Sequence, residues 1–400
     1  MDNIILCGLL FDSVSTEPKR DMAIRTHEGR IQDIKPADKM NTVEGCEVID
    51  LSNSFVMPGL IDAHVHMNMN GEPDSDRLFL YKSVAEMTLN SLKNVQRDLD
   101  AGFTTLREAG AVAFSDVAVR NSIREGVFPG PRILSCGWSI SPPGGSSDSR
   151  CSPGITGNHP HGRIVNGVPE ILRAVRENFK YGADAIKLMV TNGSGYMDMT
   201  VGEINAAISI AKAHNATVFA HAYGADSIKA LVKAGITSIE HGTTNDEEGI
   251  KMMKDEGVFL VPTLLATNSS VKRSGLVGIN KDKVQARLSR AKNCFDMYRH
   301  FGVKIGFGTD AAIPFIGHGE QMEEFEIMIE YGFSPAEALI AATKINAELL
   351  QWENSLGTLE EGKLADIIAF NENPLEDIKA MHACSFVMKG GVVYKHTPRV

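Results

Sequence analysis

Short apolar runs rich in Val, Ile and Phe alternate with amphipathic stretches of helical period through the middle of the chain. This alternation is typical of repeated βα units, in which helices separate parallel strands. The predicted strands end at or near residues 62–66, 104–108, 134–136, 187–189, 221, 241, 263 and 309–310. The predicted helices cover residues 78–99, 112–125, 168–181, 201–214, 226–234, 283–301 and 335–350.

Eight strands with intervening helices over about 300 residues predict an α/β fold of the (β/α)8 TIM-barrel type. A doubly wound open sheet is the alternative. It is less favoured because no GxGxxG turn follows the first strand and no second glycine fingerprint occurs elsewhere.

Both ends of the chain carry short runs that predict β structure without helices. Candidate strands lie at residues 4–6, 9–11, 365–370, 386–388 and 392–394, and a turn is predicted at Glu28-Gly29-Arg30. Because chain ends often lie close together, we expect residues 1–54 and 355–400 to form one discontinuous small β-sandwich domain. Residues 55–354 would then form the barrel.

Composition and charge restrict the partners without changing this fold. The chain is 43% hydrophobic and 22% charged, as in ordinary globular proteins. Its formal net charge of -10 argues against a nucleic-acid or anionic-membrane partner, because either would need a basic face. Neither a signal-peptide pattern nor an apolar run of about 18 residues occurs, so we expect a cytoplasmic protein.

The six cysteines form no CxxC pair and no small-domain framework. Free and mostly buried thiols are therefore predicted. A pair between Cys136 and Cys151 is left open.

The strongest local signal is Pro-Gly-Leu-Ile-Asp-Ala-His-Val-His at residues 58–66. An apolar strand ends there in His64 and His66, and side chains two positions apart on a strand point to the same face. Two neutral imidazoles facing the barrel interior would form part of a site for a borderline metal ion. A pair of hydrogen-bonded core histidines would give the same motif, so these two residues do not decide the question.

Three further residues with metal-binding side chains end predicted strands. His221 follows Val-Phe-Ala, His241 follows Ser-Ile-Glu, and Asp310 follows Gly-Phe-Gly-Thr. Barrel enzymes place functional side chains at this end of their strands. Taken alone, an aspartate after glycines is better explained as a helix cap. Its occurrence together with four histidines at other strand ends favours a common metal site.

Lys187 interrupts an apolar strand, where an unpaired ammonium group would be costly. The lysine could pair with a buried carboxylate, for example Glu108 or Glu240. It could instead be a Schiff-base lysine with a lowered pKa. In the third interpretation the amine has taken up carbon dioxide to become a carbamate, an anionic donor that bridges two cations. The histidines favour the carbamate, because a Schiff-base site needs no metal cage.

Together these residues resemble the ligand set of the amidohydrolase superfamily, and the resemblance covers essentially the whole chain. The segments 58–66, 239–243, 306–311, 357–366 and 387–391 resemble a narrower branch. That branch contains the Xaa-Pro dipeptidase-like and arginine/lysine carboxypeptidase-like enzymes, often labelled imidazolonepropionase-related. The resemblance implies a small-molecule substrate and a homo-oligomer like its relatives.

The resemblance also implies a binuclear centre with two divalent ions, zinc by expectation, with manganese or cobalt as alternatives. His64, His66 and Asp310 would hold the more buried ion, and the other two histidines the more exposed one. Carboxylated Lys187 would bridge the two ions. A hydroxide between the ions would attack an amide carbonyl, and Asp310 would pass the proton to the departing nitrogen.

The predicted reaction is therefore hydrolysis of an amide bond in a dipeptide of Xaa-Pro type or in an N-acyl amino acid. An alternative is that the same machinery acts on a cyclic amide, an aryl urea or a carbamate. A non-catalytic barrel relative and a metal-free Schiff-base lyase are further alternatives. Neither is favoured, because the ligand set is intact.

Substrate contacts are predicted at three positions. Tyr223 resembles the branch tyrosine that meets the substrate's carboxylate. Ser146 follows two glycines, where dipeptidase-like relatives usually have a histidine that stabilises the oxyanion. His159 or His161 of the same loop could replace that histidine, although both could equally be exposed loop residues. His318 could line the pocket or be a solvated loop residue.

Overall fold

The computed structural model describes residues 2–41, 45–148, 162–192, 195–269 and 281–397. The strands are β1 (Asn3–Leu10), β2 (Lys19–His27), β3 (Arg30–Pro36), β4 (Glu47–Pro58), β5 (Leu60–Val65), β6 (Phe103–Glu108), β7 (Arg132–Leu134), β8 (Ile140–Ser141), β9 (Arg163–Ile164), β10 (Ile186–Met189), β11 (Val218–Ala222), β12 (Ser238–His241), β13 (Phe259–Val261), β14 (Ile367–Phe370), β15 (Cys384–Lys389) and β16 (Val392–His396).

The α-helices that the structure bounds are Ser75–Tyr81, Val84–Asp100, Ser115–Arg124, Val168–Lys180, Val201–Ala213, Ala225–Ala234, Glu247–Asp255, Lys281–Phe301, Glu323–Glu330, Pro335–Ile340 and Asn346–Leu349. A π-helical turn, Ala341–Ile345, joins the last two. Short 3-10 turns lie at Ala37–Lys39, Val112–Phe114 and Ile378–Ala383.

Parallel strands form the barrel as two sheets, β5-β6-β7 and β13-β12-β11-β10-β8-β9. Backbone hydrogen bonds join them on one side, where Ser135 O accepts from Asp184 N (2.7 Å) and Ala185 N (3.1 Å). These bonds continue the ring from β7 to β10. The predicted (β/α)8 barrel is therefore confirmed, and its strands end close to the predicted positions.

The eighth barrel strand forms no regular ladder. Residues 303–311 make only isolated parallel bridges, Leu260 with Ile305 and Val65 with Ala311. Asn346 strengthens this seam, because its Nδ2 donates to the carbonyl oxygens of β5 residue Ile61 and of Phe307, each at 2.7 Å. A side chain thus holds the first and last strands of the barrel together.

Two predicted helices are interrupted in the structure. The helix predicted over residues 78–99 is two helices, because Ser83 and Glu86 form a capping box that starts the second one. The helix predicted over residues 335–350 contains the π-helical turn, which adds one residue to the turn that precedes Asn346. Both interruptions follow from local hydrogen bonds that hydrophobic period alone does not show.

The terminal strands form one mixed sheet in the order β16-β15-β14-β4-β1-β2-β3. It contains strands from both ends of the chain, as predicted for the small β domain. The sheet curls, because Ile31 N donates to Lys363 O (2.8 Å) and brings β3 to the segment before β14. Its two halves share one apolar core that includes Ile24 and Phe386. The boundaries at residues 54 and 355 stay a prediction.

The five described cysteines are free, and all except Cys46 are buried. Cys151 lies outside the described residues. Within the described ranges, no helix combines the length and the apolar character needed to cross a membrane.

Candidate metal centre

The structure brings the predicted metal ligands together where parallel strands end at one mouth of the barrel. The ring centroid of His64 lies 5.5 Å from that of His66 and 5.3 Å from that of His241. His221 lies 4.7 Å from His241 by the same measure. The four imidazoles, contributed by β5, β11, β12 and the residue after β5, therefore form one continuous cluster.

Asp310 and Lys187 complete this cluster. Asp310 Oδ1 lies 3.2 Å from His66 Nε2 and 3.4 Å from His64 Nε2. Lys187 Nζ lies 3.4 Å from His64 Nε2. One donor atom each from His64, His241 and Asp310 lie within 4.8 Å of one another, a spacing that a metal ion could span.

Left-handed backbone conformations occur at two of these residues. His241 has φ 69° and Asp310 has φ 58°, and Thr263, which follows β13, has φ 47°. Such conformations cost about 1–3 kcal/mol each in residues other than glycine and are common at functional sites. The strand ends therefore hold these side chains at an energetic cost that the surrounding fold must offset.

A buried charge network orients His64. Its Nδ1 lies 2.6 Å from Glu240 Oε2, and Arg107 Nη2 donates to Glu240 Oε1 at 2.8 Å. The hydroxyl of Ser238 donates to the same Oε1 at 2.6 Å. With Nδ1 donating to the carboxylate, Nε2 of His64 carries the lone pair that faces the cluster.

His241 has a similar support. Its Nδ1 lies 2.6 Å from Thr263 Oγ1, which leaves Nε2 directed away from this bond. His66 is held less closely, with Nδ1 3.9 Å from Glu108 Oε1. Hydrogen-bonded imidazoles of this kind are typical of metal-ligating histidines.

Burial sets the protonation states that a metal centre requires. It lowers the pKa of His64 to about 4 and that of His241 to about 3, and it lowers the pKa of His221 well below the ordinary value. These imidazoles are therefore neutral at neutral pH. Burial alone would raise the pKa of Asp310, but the neighbouring imidazoles of His64 and His66 lower it, so the carboxylate is ionised.

Lys187 is buried and, among the residues that the structure describes, forms no ion pair with a carboxylate. Burial lowers its pKa, although the negative charges of Glu240 and Asp310 oppose this shift. Among the described residues, no carboxylate oxygen lies within ion-pair distance of Nζ, and Glu240 is bonded to His64 and Arg107. This geometry argues against the structural ion pair considered for Lys187. Neutral imidazoles, an ionised carboxylate and an amine of lowered pKa together fit a divalent-metal centre.

Tyr223 and Ser146 lie beside His221. The Tyr223 ring packs edge-on against His221 at 4.6 Å and lies 5.6 Å from His241. The Ser146 hydroxyl donates to Thr191 O at 2.8 Å and lies 3.4 Å from His221 Nε2. Both predicted substrate contacts are therefore next to the cluster, whereas His159 and His161 lie outside the described residues.

The family comparison agrees with this geometry. The chain matches the amidohydrolase family over residues 55–394. It belongs to the amidohydrolase family. This confirms the predicted resemblance and makes the chain a hydrolase that acts on C–N bonds, from a family that depends on metal ions.

The amidohydrolase is 31% identical over 375 residues to ochratoxinase from Aspergillus niger, covering 85% of this chain and 75% of that protein. It is also similar to the crystal structure of a Xaa-Pro dipeptidase with bound methionine in the active site (32% identity, TM-score 0.90, 99% and 100% of the two chains). A prolidase complexed with N-methylphosphonate-L-proline is similar as well (28% identity, TM-score 0.90, 99% and 100% of the two chains).

His318 of this amidohydrolase lies behind the cluster. Its Nδ1 is 2.8 Å from Asp98 Oδ2, and its Nε2 is 3.3 Å from the backbone oxygen of His66. Only 3% of the residue is exposed, so it is not a solvated loop residue. Because both ring nitrogens already have partners in the protein, the geometry argues against a substrate contact and for support of the His66 backbone.

Three residues of the amidohydrolase site were missed by sequence reasoning. Arg107 and Thr263 support His64 and His241, but each is an ordinary strand or strand-end residue in the sequence. Arg287 lies in the helix Lys281–Phe301, with its guanidinium carbon 6.0 Å from the centre of the Tyr223 ring. No sequence pattern distinguishes it from Arg290, the other exposed arginine of that helix, so its position beside Tyr223 becomes visible only in the fold.

Proposed function

We propose that this amidohydrolase uses a binuclear metal centre to cleave the amide bond of a dipeptide of Xaa-Pro type or of an N-acyl amino acid. The observation that carries the proposal is the cluster of neutral imidazoles around one ionised carboxylate at the barrel mouth. His64, His66 and Asp310 would hold one ion, His221 and His241 the other, with Lys187 as a carbamate between them. Two divalent cations, zinc by preference, supply an activated water and a polarised carbonyl when bound.

Asp310 is the proposed proton carrier. Its carboxylate is ionised and lies within the cluster, 3.2 Å from His66 Nε2. The carboxylate would accept the proton of the attacking water and deliver it to the departing amide nitrogen. The backbone bond from Asp310 N to His64 O (2.8 Å) holds the residue at this position.

Tyr223 and Arg287 support a substrate with a free carboxylate. The phenol ring lies beside two proposed ligands, and the guanidinium of Arg287 lies over it. A tyrosine hydroxyl and an arginine are suitable donors for a carboxylate. The ligands named for the two similar structures, methionine and N-methylphosphonate-L-proline, both carry an amino-acid carboxylate.

Ser146 favours one second candidate, the same machinery acting on a cyclic amide, an aryl urea or a carbamate. The hydroxyl of Ser146 already donates to Thr191 O, so it stabilises a developing oxyanion less well than a free imidazole N–H would. Oxyanion donors contribute about 3–4 kcal/mol to transition-state stabilisation. A substrate with a better leaving group depends less on that contribution.

Two measurements test the proposal. Elemental analysis of the purified protein should give about two equivalents of divalent metal, lost in Lys187→Ala. Less than one equivalent, unchanged by that substitution, would contradict the metal centre. A library of dipeptides and N-acyl amino acids should then contain a substrate. Turnover of only cyclic amides, ureas or carbamates would favour the second candidate.

The predicted homo-oligomer is a separate question. Light scattering on the same preparation measures the oligomeric state.

A further inference from the structure

A cavity lies at the opposite end of the barrel from the metal centre, where the barrel meets the terminal sheet. Its volume is about 480 Å³. The lining includes Arg132 at the first position of β7, Asp184 just before β10, and Gly390 just after β15. Because parallel strands begin here and end at the metal centre, the cavity is separate from the candidate catalytic site.

Four cations line or border this cavity against two carboxylates. Arg120 is paired with Asp184 at 2.5 Å, and Arg132 is paired with Asp366. These two pairs tie the helix Ser115–Arg124 to the segment before β10, and β7 to the terminal sheet. These two ion pairs therefore have a structural role and require no ligand.

Arg124 and Lys389 are the cations that remain. Within the described part of the chain, neither has a carboxylate at ion-pair distance. Arg124 donates to Asn121 Oδ1 at 3.3 Å, and Lys389 donates to the backbone oxygen of Gly130. Burial and the neighbouring Arg132 lower the pKa of Lys389 to about 8, and the carboxylate of Asp366 partly opposes this shift. The four cations at the cavity outnumber its two carboxylates. This surplus occurs in a chain whose formal net charge is -10.

The rest of the wall is apolar and partly aromatic. Ile123, Pro131, Ile133 and Trp352 contribute to it. Cavities of about 300–1,000 Å³ that combine apolar walls with a few polar groups are typical of small-molecule sites. The indole of Trp352 is half-buried, and its accessible part provides a surface on which a planar group can pack.

We propose that this cavity binds a small anion that carries a planar apolar group. Arg124 and Lys389 would contact the anionic group, and Trp352 would contact the planar group. A phosphate and a carboxylate share the charge that these two cations require, and arginine binds both with paired hydrogen bonds. The proposal is independent of the reaction at the metal centre, since none of these residues lies near it.

Tryptophan fluorescence gives a direct test on the metal-loaded enzyme. The chain has two tryptophans, so Trp138→Phe leaves Trp352 as the sole indole. Phenyl phosphate, benzoate and inorganic phosphate are titrated in turn to ~10 mM, the weak end of specific binding. A saturable change with phenyl phosphate or benzoate supports the site, and the tighter of the two identifies the anionic group.

Variants assign the binding to the proposed cations. Arg124→Gln and Lys389→Met, each in the Trp138→Phe background, should weaken binding at least about tenfold while amide hydrolysis is unchanged. Lys304→Met, a surface cation in a different cavity, is the matched control and should bind normally. Because Arg124 is exposed, its variant stays informative if Lys389→Met fails to fold.

Three results would overturn the proposal. The first is no saturable fluorescence change with any of the three probes. The second is equal affinity for inorganic phosphate and phenyl phosphate, which removes the planar group from the recognition. The third is binding that survives in both cation variants.

Discussion

His64 and His221 flank His241 in the candidate metal centre, but their surroundings differ. His64 is fully enclosed, and its Nδ1 is bonded to a carboxylate that Arg107 and Ser238 also hold. His221 has beside it the Ser146 hydroxyl at 3.4 Å and the ring of Tyr223.

We infer that this difference separates two proposed tasks of the site, metal binding and substrate binding. The surroundings of His64 contain strand residues whose polar atoms bond to one another, so a change there affects folding and metal binding together. The surroundings of His221 contain Ser146 and Tyr223, which we propose as substrate contacts. Substitutions there can change what is bound and leave the donor set intact.

The largest expected effect is that of Asp310→Asn. The amide cannot accept the proton, so kcat should fall by about 10²–10⁴ while the barrel stays folded. Steady-state kinetics and circular dichroism measure the two quantities. As a control, Asp246→Asn removes an exposed carboxylate that caps a helix and should leave kcat unchanged. An unaltered rate in Asp310→Asn would contradict its role as proton carrier.

Glu240→Gln should destabilise the enclosed surroundings of His64. Removing this charge leaves Arg107 buried without its counter-ion, so the free energy of unfolding should fall by about 3–5 kcal/mol. Metal affinity should fall about 10–100-fold, because the amide supports His64 less well. Urea denaturation and metal titration measure these changes.

The matched control for Glu240→Gln is Asp296→Asn. This surface carboxylate lies 3.2 Å from Lys292, and loss of such an exposed pair costs about 1 kcal/mol or less. Equal destabilisation by both variants would show that the Arg107–Glu240–His64 network has no special stabilising role.

Arg287→Met and Tyr223→Phe should act on the substrate side. For a substrate with a free carboxylate, KM should rise about tenfold or more, as for a lost charge-assisted hydrogen bond, with bound metal unchanged. For the same substrate with a carboxamide in place of the free carboxylate, KM should change little in either variant. Lys292→Met, in the same helix but beside Tyr331, serves as control. A fall in kcat with unchanged KM would contradict a carboxylate contact.

Ser146→Ala should have the smallest effect, a reduction in kcat of about tenfold or less, because the hydroxyl donates to Thr191 O. Ser146→His should raise kcat for peptide substrates if the loop can place an imidazole as in dipeptidase-like relatives. Parallel assays of peptide and urea substrates measure both changes. A larger loss of kcat/KM in Ser146→Ala than in Arg287→Met would contradict the order of effects proposed for this side of the site.

The barrel and the cluster of donors could be predicted because both depend on regular features. Strand and helix periods determine which residues end strands, and parallel strands bring those ends to one mouth. His221 and His241 thus meet although helices separate them in sequence. The break before Val84 also had a visible signal, since Ser83 and Glu86 have the spacing of a capping box.

The supporting residues could not be predicted from one sequence. Arg107 reaches Glu240 across the barrel, a contact that depends on the packed geometry of β6 and β12. Arg287 depends on where the helix Lys281–Phe301 crosses the mouth. The position of Asn346 depends on the added residue of a π-helical turn, which no hydrophobic period indicates.

The seam held by Asn346 has a consequence for how the protein is made. His64 comes from the first strand of the barrel and Asp310 from the last, and they become neighbours only when this seam closes. Contacts between such distant parts of a chain are slow to form. A chain still on the ribosome, synthesised only as far as residue 302, would carry the four histidines and Lys187 but lack the acid. Hydrolytic competence would therefore arise late, after nearly the whole barrel has been made.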